Sequence, residues 1–217
     1  METILMLFIL LIPAFYSIEV SGANQCCGTI KKDVTKMKTD IDDLKKLIDL
    51  HTKDSHSHDE CIGKLLVTGS SHRIPDSWLT ASTVYEFGYG PDRARLGTQD
   101  IPGETQRGSW VASVKDSNQW IQADLGKVMT VSGVITQGRN ILGKPTPAAD
   151  QWVSEYRILY RTYANMPFER IQERFQGNSD RVTPVLNMFK SVKARYVRIN
   201  PTVWKNHISM RFDVIGC

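Results

Sequence analysis

The spacing of apolar residues along the chain changes twice and divides the sequence into three parts. Residues 4–15 form one apolar run that only Pro13 interrupts. From Ile30 to Ile48 the apolar residues recur in alternating steps of four and three, and after Cys61 they recur at every second position of short segments. These periods predict a leader sequence, a short helix and a set of β-strands, in that order.

The first part has the length and the order of a secretory signal. A more polar stretch follows the apolar run and ends in Ser21-Gly22-Ala23, which places small residues at both key positions of a cleavage after Ala23. An uncleaved membrane anchor is the alternative, although the run is short for that role. We therefore predict that residues 1–23 are a signal peptide. The chain would then be secreted into the extracellular space, where the oxidising environment lets cysteines pair.

The second part has the heptad spacing of a coiled coil, with Lys and Asp at most of the positions outside its core. The core positions are Val34, Ile41 and Ile48 (position a) and Ile30, Met37 and Leu44 (position d). β-branched residues at a with Leu or Met at d favour a parallel dimer, although three heptads do not fix the number of chains. A single amphipathic helix packed on the following domain is the alternative.

Cys26 and Cys27 directly precede this helix. Adjacent cysteines bridge each other only with strain, whereas parallel helices would bring both residues beside the same pair in a neighbouring chain. We therefore predict that residues 24–60 form a coiled-coil stalk and a polar linker. Interchain disulfides through Cys26 and Cys27 would then make the protein a covalent homo-oligomer.

The third part alternates between apolar and polar residues. In its last segment one face carries Ile208, Met210, Phe212 and Val214, and the opposite face carries His207, Ser209, Arg211 and Asp213. Further short apolar or alternating segments, at residues 120–125, 131–135, 152–160 and 195–199, are separated by clusters of Gly, Pro, Asn and Asp. Many short strands divided by turn residues predict an all-β sandwich or barrel.

The composition and the missing motifs exclude several classes of function. The 217-residue chain has a net charge of +4, but residues 61–217 hold seven Lys and thirteen Arg against thirteen acidic residues, a net charge of +7. No apolar run reaches the length of about 18 residues that a membrane-spanning helix needs, and the motifs of common hydrolases, metalloproteases and nucleotide-binding enzymes are missing. We therefore predict a non-enzymatic binding protein. Its basic excess suits an acidic cell surface or heparin-like polyanions, and we expect no nucleic-acid partner for a secreted chain.

Short motifs follow one another along residues 61–217. They include residues 74–82 (IPDSWLTAS), Gly108-Ser-Trp110, residues 119–126 (QWIQADLG), residues 194–199 (ARYVRI) and the closing Gly216-Cys217. This ordered set resembles the discoidin domain family, also called the coagulation factor V/VIII type C domain. The resemblance implies an all-β, galactose-binding-like jelly-roll sandwich whose first and last cysteines, Cys61 and Cys217, are bridged. It implies no cofactor, and it leaves open a structural Ca²⁺, which some relatives hold.

In domains of this kind the ligand binds loops at one end of the barrel, and the flanking motifs locate three such loops here. Loop one is residues 83–93, loop two is residues 107–118 and loop three is residues 139–150. The predicted ligand-binding residues are Tyr85, Phe87, Tyr89 and Arg93 in loop one and Arg139, Asn140, Ile141, Leu142 and Lys144 in loop three. Facing outward, they would form an apolar tip ringed by cations. The alternative is that one or two of the aromatic residues turn inward and cap the barrel.

Such a tip suits two classes of ligand. An anionic membrane containing phosphatidylserine would take up the apolar side chains and attract the cations, whereas a sugar would stack on the aromatic rings and hydrogen-bond to Arg and Asn. Tyr is more amphipathic than the side chains expected to enter a membrane, which favours a glycan or a glycoprotein. We predict multivalent, lectin-like binding of cell-surface or matrix glycoconjugates and cell adhesion. Binding of anionic phospholipid, or a protein-ligand or matrix-assembly role, is the alternative.

Overall fold

Antiparallel strands build the part of the chain that the structure describes. The structure is a computed structural model and describes residues 63–101, 103–142 and 146–217. Its strands are β1 (Lys64–Leu65), β2 (Leu79–Ala81), β3 (Trp110–Val111), β4 (Ile121–Gln137), β5 (Trp152–Arg161), β6 (Glu169–Arg170), β7 (Phe175–Gln176), β8 (Val185–Lys205) and β9 (Ser209–Gly216). Among these residues no helix is long and apolar enough to cross a membrane.

Two long strands organise the sheet. The strand order is β1-β9-β4-β8-β5-β6, with β2 also paired to β4, β3 to β9 and β7 to β5. The pairing of β4 with β8 shifts register after Asp124 and again after Val131. Such irregularities bend a strand and increase its twist, and they let the first part of β4 pair with β2 while its last part pairs with β9. The prediction of an all-β sandwich for this part of the chain is confirmed.

The core lies where the alternating pattern placed it. Ile208, Met210, Phe212 and Val214 are all fully buried, as are Trp110, Tyr156 and Ile199 from the facing strands. Side chains two positions apart in a strand point to the same face, so all the apolar residues of this alternating segment point into the core. The indole Nε1 of Trp110 donates to the carbonyl oxygen of Thr83 at 2.9 Å, which joins the core directly to the start of loop one.

The polar face of β9 is buried as well, because loops cover it. The guanidinium of Arg211 donates to the carbonyl oxygens of Gly138 at 2.7 Å and of Thr98 and Arg181 at 2.9 Å. On the same strand the carboxylate of Asp213 accepts backbone hydrogen bonds from residues 67 and 68 at 2.8 Å. Burial lowers the pKa of Arg211 to about 10, with a smaller contribution from the charge of Arg181. Arg211 therefore remains a cation at neutral pH and ties three loops to one strand.

Some of the predicted features fall on residues outside the described ranges. They are the signal peptide at residues 1–23, the stalk and linker at residues 24–60 with Cys26 and Cys27, and Cys61 as one half of a disulfide. Cys217 is disulfide-bonded, but its pairing with Cys61 stays a prediction, as does the homo-oligomer.

Candidate ligand-binding site

The three loops located from the sequence meet at one end of the sandwich, which we call the loop end. The amide of Tyr85 in loop one donates to the carbonyl oxygen of Val111 at 2.9 Å, and the amide of Arg107 donates to that of Gly88 at 2.9 Å. The amide of Asn140 in loop three donates to the carbonyl oxygen of Gly108 at 3.0 Å. Backbone hydrogen bonds therefore join loop two to both of its neighbours.

Tyr89 lies inside the loop end and not on its surface. Its side chain is only 6% exposed, and its hydroxyl accepts a hydrogen bond of 2.7 Å from Nη2 of Arg139. The ring also packs edge-on against Tyr85, with 5.9 Å between the ring centroids. The expectation that Tyr89 faces outward is wrong, because a buried phenol needs a hydrogen-bond partner and Arg139 supplies one. The alternative of an inward, capping aromatic residue holds at this position.

Tyr85 and Phe87 are the exposed aromatic residues of loop one, with 53% and 85% of their surfaces accessible. The Tyr85 ring also lies edge-on to His207, with 5.5 Å between the centroids. Phe87 has no such neighbour among the ring contacts of the described residues, and it stands beside Gly88, whose φ is +91°. A Cβ at Gly88 would collide with the carbonyl oxygen of Thr105, so a glycine is needed for the turn that presents Phe87.

An open cleft of about 530 Å³ lies beside Phe87. It is lined by Val84, Glu86, Phe87, Gly88, Gly90, Asp92, Arg93 and Gln106. The lining thus combines one large aromatic ring, Val84 and glycine backbone with two carboxylates, one amide and the guanidinium of Arg93, and most of its surface is apolar. Carboxylate and amide oxygens accept hydrogen bonds from hydroxyl groups, and an exposed ring can cover the apolar face of a sugar.

The arginines expected around the tip donate hydrogen bonds to neighbouring loop segments. Nε of Arg93 donates to the carbonyl oxygen of Arg107 at 2.6 Å, and its Nη2 donates to that of Gln99 at 2.7 Å. Arg139 donates to Gln151 Oε1 at 3.1 Å in addition to its bond to the tyrosine hydroxyl. Both arginines are half-buried. Both arginines thus have hydrogen-bond partners within the loops, and their role as ligand-binding residues stays a prediction. Lys144 lies outside the described residues.

The remaining predicted residues of loop three divide in the same way. Asn140 pairs with loop two through its backbone, and its Oδ1 accepts a hydrogen bond of 3.3 Å from the amide of Asp100. Ile141 is half-buried, whereas Leu142 is 45% exposed. Leu142 is thus the apolar residue that the described part of loop three presents to solvent.

His207 belongs to the loop end although its sequence context places it with a strand. It follows Asn206, which has a φ of 56° and whose side-chain amide donates to the carbonyl oxygens of Pro147 and Asp150 in loop three at 2.9 and 2.8 Å. Burial lowers the pKa of His207, and the nearby charges of Lys115 and Arg139 lower it further. The sequence contains only a weak indication of this position, because His207 is one polar residue at the turn directly before β9.

Metal binding finds no support from side chains in the described ranges. No group of three or more His, Cys, Asp or Glu residues there could hold a metal ion. The structural Ca²⁺ that the resemblance left open is not tested by this observation, because backbone carbonyls can also bind Ca²⁺.

Comparison with known proteins gives consistent matches. A family model described as the F5/8 type C domain matches residues 79–214. Retinoschisin from Takifugu rubripes is 34% identical over 134 residues, which are 58% of this chain and 44% of that protein. Lactadherin from Rattus norvegicus is 32% identical over 161 residues, which are 68% of this chain and 35% of that protein. The chain therefore spans less than half the length of these two relatives.

A solved structure matches the same region. Discoidin II from Dictyostelium discoideum is 31% identical in sequence and aligns with a TM-score of 0.56, covering 64% of this chain and 53% of its own. This similarity agrees with the all-β sandwich described above.

Proposed function

The chain belongs to the F5/8 type C domain family, and from that premise we propose that it is a non-enzymatic, lectin-like adhesion protein. Its ligand would be a glycan or glycoprotein of the cell surface or the extracellular matrix, bound at the loop end. The observation that carries the proposal is the cleft beside Phe87, in which an 85% exposed ring stands next to the carboxylates of Glu86 and Asp92.

The chemistry of this cleft favours a sugar. A ring with one open face offers an apolar platform for the C–H groups of a pyranose, and carboxylates accept the hydrogen bonds of its hydroxyls. The same carboxylates repel the headgroups of an anionic membrane. Arg93 also lines the cleft and donates to loop carbonyls, and its single positive charge offsets only part of the charge of the two carboxylates.

Binding of anionic phospholipid is the second candidate, and one observation favours it. Phe87 and Leu142 are both exposed apolar residues at the loop end, and side chains of this kind enter the interfacial region of a bilayer. Lys144, in the same loop, would add a cation.

Several copies on one oligomer would raise the apparent affinity of a weak site. Linked binding modules gain about 10²–10⁴ in avidity when they engage one surface together. The predicted stalk at residues 24–60 would supply that linkage, so migration of the full chain on non-reducing gels, with and without Cys26→Ser and Cys27→Ser, tests this part of the proposal. A monomer in the unsubstituted chain would contradict it.

A glycan array and a pull-down with phosphatidylserine vesicles, both using the full chain, separate the two candidates. Phe87→Ser should abolish binding to the preferred ligand, because the substitution removes the exposed ring without touching the core. Tyr163→Ser is a matched control, since Tyr163 is 61% exposed but lies after β5, away from the three loops. Unchanged glycan binding in Phe87→Ser would reject the cleft as the site, and binding to vesicles alone would favour the second candidate.

A further inference from the structure

Guanidinium groups alternate with aromatic rings on the outer face of β4, β5 and β8. The Arg198 guanidinium carbon lies 3.8 Å from the ring centroid of Trp120 and 4.0 Å from that of Phe168. The Arg161 guanidinium carbon lies 4.4 Å from the centroid of the same Phe168 and 4.7 Å from that of Tyr196. We call this set of five residues the arginine ladder.

Strand pairing explains how residues far apart in sequence form one row. Arg198 on β8 lies opposite Leu159 on β5, and Arg161 lies opposite Tyr196. Arg157 lies opposite Asn200 on the same face, four residues before Arg161, which is about 13 Å along a strand. The ladder starts beside loop two at Trp120 and runs away from the loop end to Arg161, the last residue of β5.

The cations of the ladder have few partners within the protein. Among the described residues, neither Arg161 nor Arg198 forms an ion pair. Arg198 donates to the neutral Oε1 of Gln122 at 2.9 Å, and Arg161 donates to the carbonyl oxygen of Met166 at 3.3 Å. In the same part of the chain, the Nε atoms of Arg157 and Arg161 are buried without a hydrogen-bond partner.

Two acidic residues on neighbouring strands have hydrogen-bond partners of their own. The Asp124 carboxylate is bound by Arg195 through two hydrogen bonds of 2.7 and 2.9 Å. Glu169 accepts a hydrogen bond of 2.9 Å from the hydroxyl of Tyr160. Burial lowers the pKa of Arg198 to about 10, and the neighbouring charge of Arg161 contributes to that shift. Two like charges thus stand side by side, and Arg198 remains a cation at neutral pH.

We propose that the arginine ladder binds a sulfated glycosaminoglycan chain. The aromatic rings hold the guanidinium planes in fixed orientations. The Nη1 group of Arg198 and the Nη2 group of Arg161, which donate to no residue of the described ranges, can then donate to the oxygens of a sulfate or carboxylate group. The two cations of the ladder, with Arg157 further along β5 on the same face, match a linear polymer that carries repeated negative charges. The net charge of +7 over residues 61–217 adds long-range attraction.

This surface differs from the loop end in its shape as well as in its charge. The five ladder side chains are half-buried on the sheet face, unlike the exposed Phe87 of the loop end, so they offer little apolar surface that could enter a bilayer. The two surfaces also act independently: a glycan in the loop-end cleft and a sulfated chain on the ladder could be bound together.

Binding of the full chain to an immobilised heparin dodecasaccharide, measured over a series of salt concentrations, tests the proposal. Arg161→Gln with Arg198→Gln should weaken binding at least tenfold. The slope of log K for heparin binding against log salt concentration should also become shallower by about two. Binding of the unsubstituted chain displaces about one counterion from the polymer for each ladder arginine, and the variant lacks both arginines. Lys64→Gln with Arg73→Gln is the matched control, because both residues are exposed and lie at or near β1, at the opposite edge of the sheet. An equal weakening in both variants would overturn the proposal.

A measurement on the unsubstituted chain guards against misfolding of the variant. Titration with heparin should shift the side-chain Nε–H NMR signals of Arg161 and Arg198 but not that of Arg95, which is buried and paired with Asp76. Unshifted ladder signals at saturating heparin would reject the site. Binding of the arginine-to-glutamine variant to phosphatidylserine vesicles should equal that of the unsubstituted chain. Loss of vesicle binding with retained heparin binding would assign the ladder to a membrane and overturn the proposal.

Discussion

Arginine serves opposite purposes at the loop end and on the arginine ladder. At the loop end, Arg93 and Arg139 donate to carbonyl, amide and hydroxyl oxygens of neighbouring segments. On the ladder, Arg161 and Arg198 lie against aromatic rings and form no ion pair within the described ranges. The first pair joins neighbouring loop segments through its hydrogen bonds, whereas the second pair is held chiefly between aromatic rings and has few hydrogen bonds to other segments.

The difference follows from the acceptors within reach of each side chain. Loop segments carry backbone carbonyls that no strand pairing satisfies, and a nearby guanidinium is drawn to them. On the ladder face the strand carbonyls are paired between strands, so an arginine there finds fewer free carbonyls, and a ring can hold it by a cation–π interaction. Arg161 reaches the carbonyl oxygen of Met166, in the segment after β5. An arginine that stands near aromatic residues in the sequence therefore gives only weak evidence of a ligand contact. The structure has to show first which oxygen atoms accept its hydrogen bonds.

Arg211, the buried arginine that ties three loops to β9, should show the largest effect of an arginine that supports loops. Arg211→Met should lower the free energy of unfolding by about 4 kcal/mol, because three carbonyl oxygens lose hydrogen bonds to a charged donor. Urea unfolding of the full chain, followed by tryptophan fluorescence, measures the change. Glycan binding should weaken with it, since the 138–142 segment of the loop end loses its anchor at Gly138.

Arg170→Met is the control for that change, because Arg170 is exposed on the edge strand β6. We expect a change in the free energy of unfolding of less than about 0.5 kcal/mol. Similar decreases for the two variants would show that burial and loop contacts do not distinguish these arginines.

A smaller effect separates the loop end from the ladder directly. Arg139→Met should lower the free energy of unfolding by about 2 kcal/mol, since the hydroxyl of Tyr89 and the amide oxygen of Gln151 lose their donor. Arg198→Met should cost less than about 1 kcal/mol, the range of a cation–π contact at an accessible site, and should leave binding at the loop end unchanged.

The opposite result would support the predicted role of Arg139 as a ligand-binding residue. If Arg139→Met abolished glycan binding but left the unfolding transition unchanged, the side chain would be a ligand contact and not a support. Urea unfolding and array binding on the same preparations distinguish the two outcomes.

The sequence predicted those features that depend on local pattern. The period of two identified β9 and its apolar face, from Ile208 to Val214, because alternation is a property of the strand itself. The motifs also located the three loops, which the structure brings together. What the pattern could not predict depends on distant partners. Tyr89 turns inward because Arg139, 50 residues away, donates to its hydroxyl.

The arginine ladder also depends on partners that are distant in the sequence, so the pattern did not predict it. Trp120, Phe168 and Arg198 become neighbours only through the pairing of β8 with β4 and β5 and the return of the chain after β5. Gly88 shows a third limit: Tyr85, Phe87 and Tyr89 alternate in sequence, but a φ of +91° at Gly88 breaks the alternation in space. Segments outside the regular strands therefore need the structure before a side chain can be assigned to the surface.

The smallest expected effect is the dependence of loop-end binding on pH. His207 contacts Tyr85 and has a lowered pKa, chiefly through burial. Because its pKa is lower in the folded chain than in the unfolded chain, its contribution to stability is complete above about pH 6.5 and is lost as the pH falls through the folded pKa. Because Tyr85 packs against His207, we expect glycan affinity to be constant from about pH 7 to pH 8 and to fall as the pH drops through the lowered pKa of His207. His207→Gln should match the unsubstituted chain at neutral pH and lose this decline. A variant whose affinity falls in parallel with that of the unsubstituted chain would place the titrating group elsewhere and remove His207 from the site.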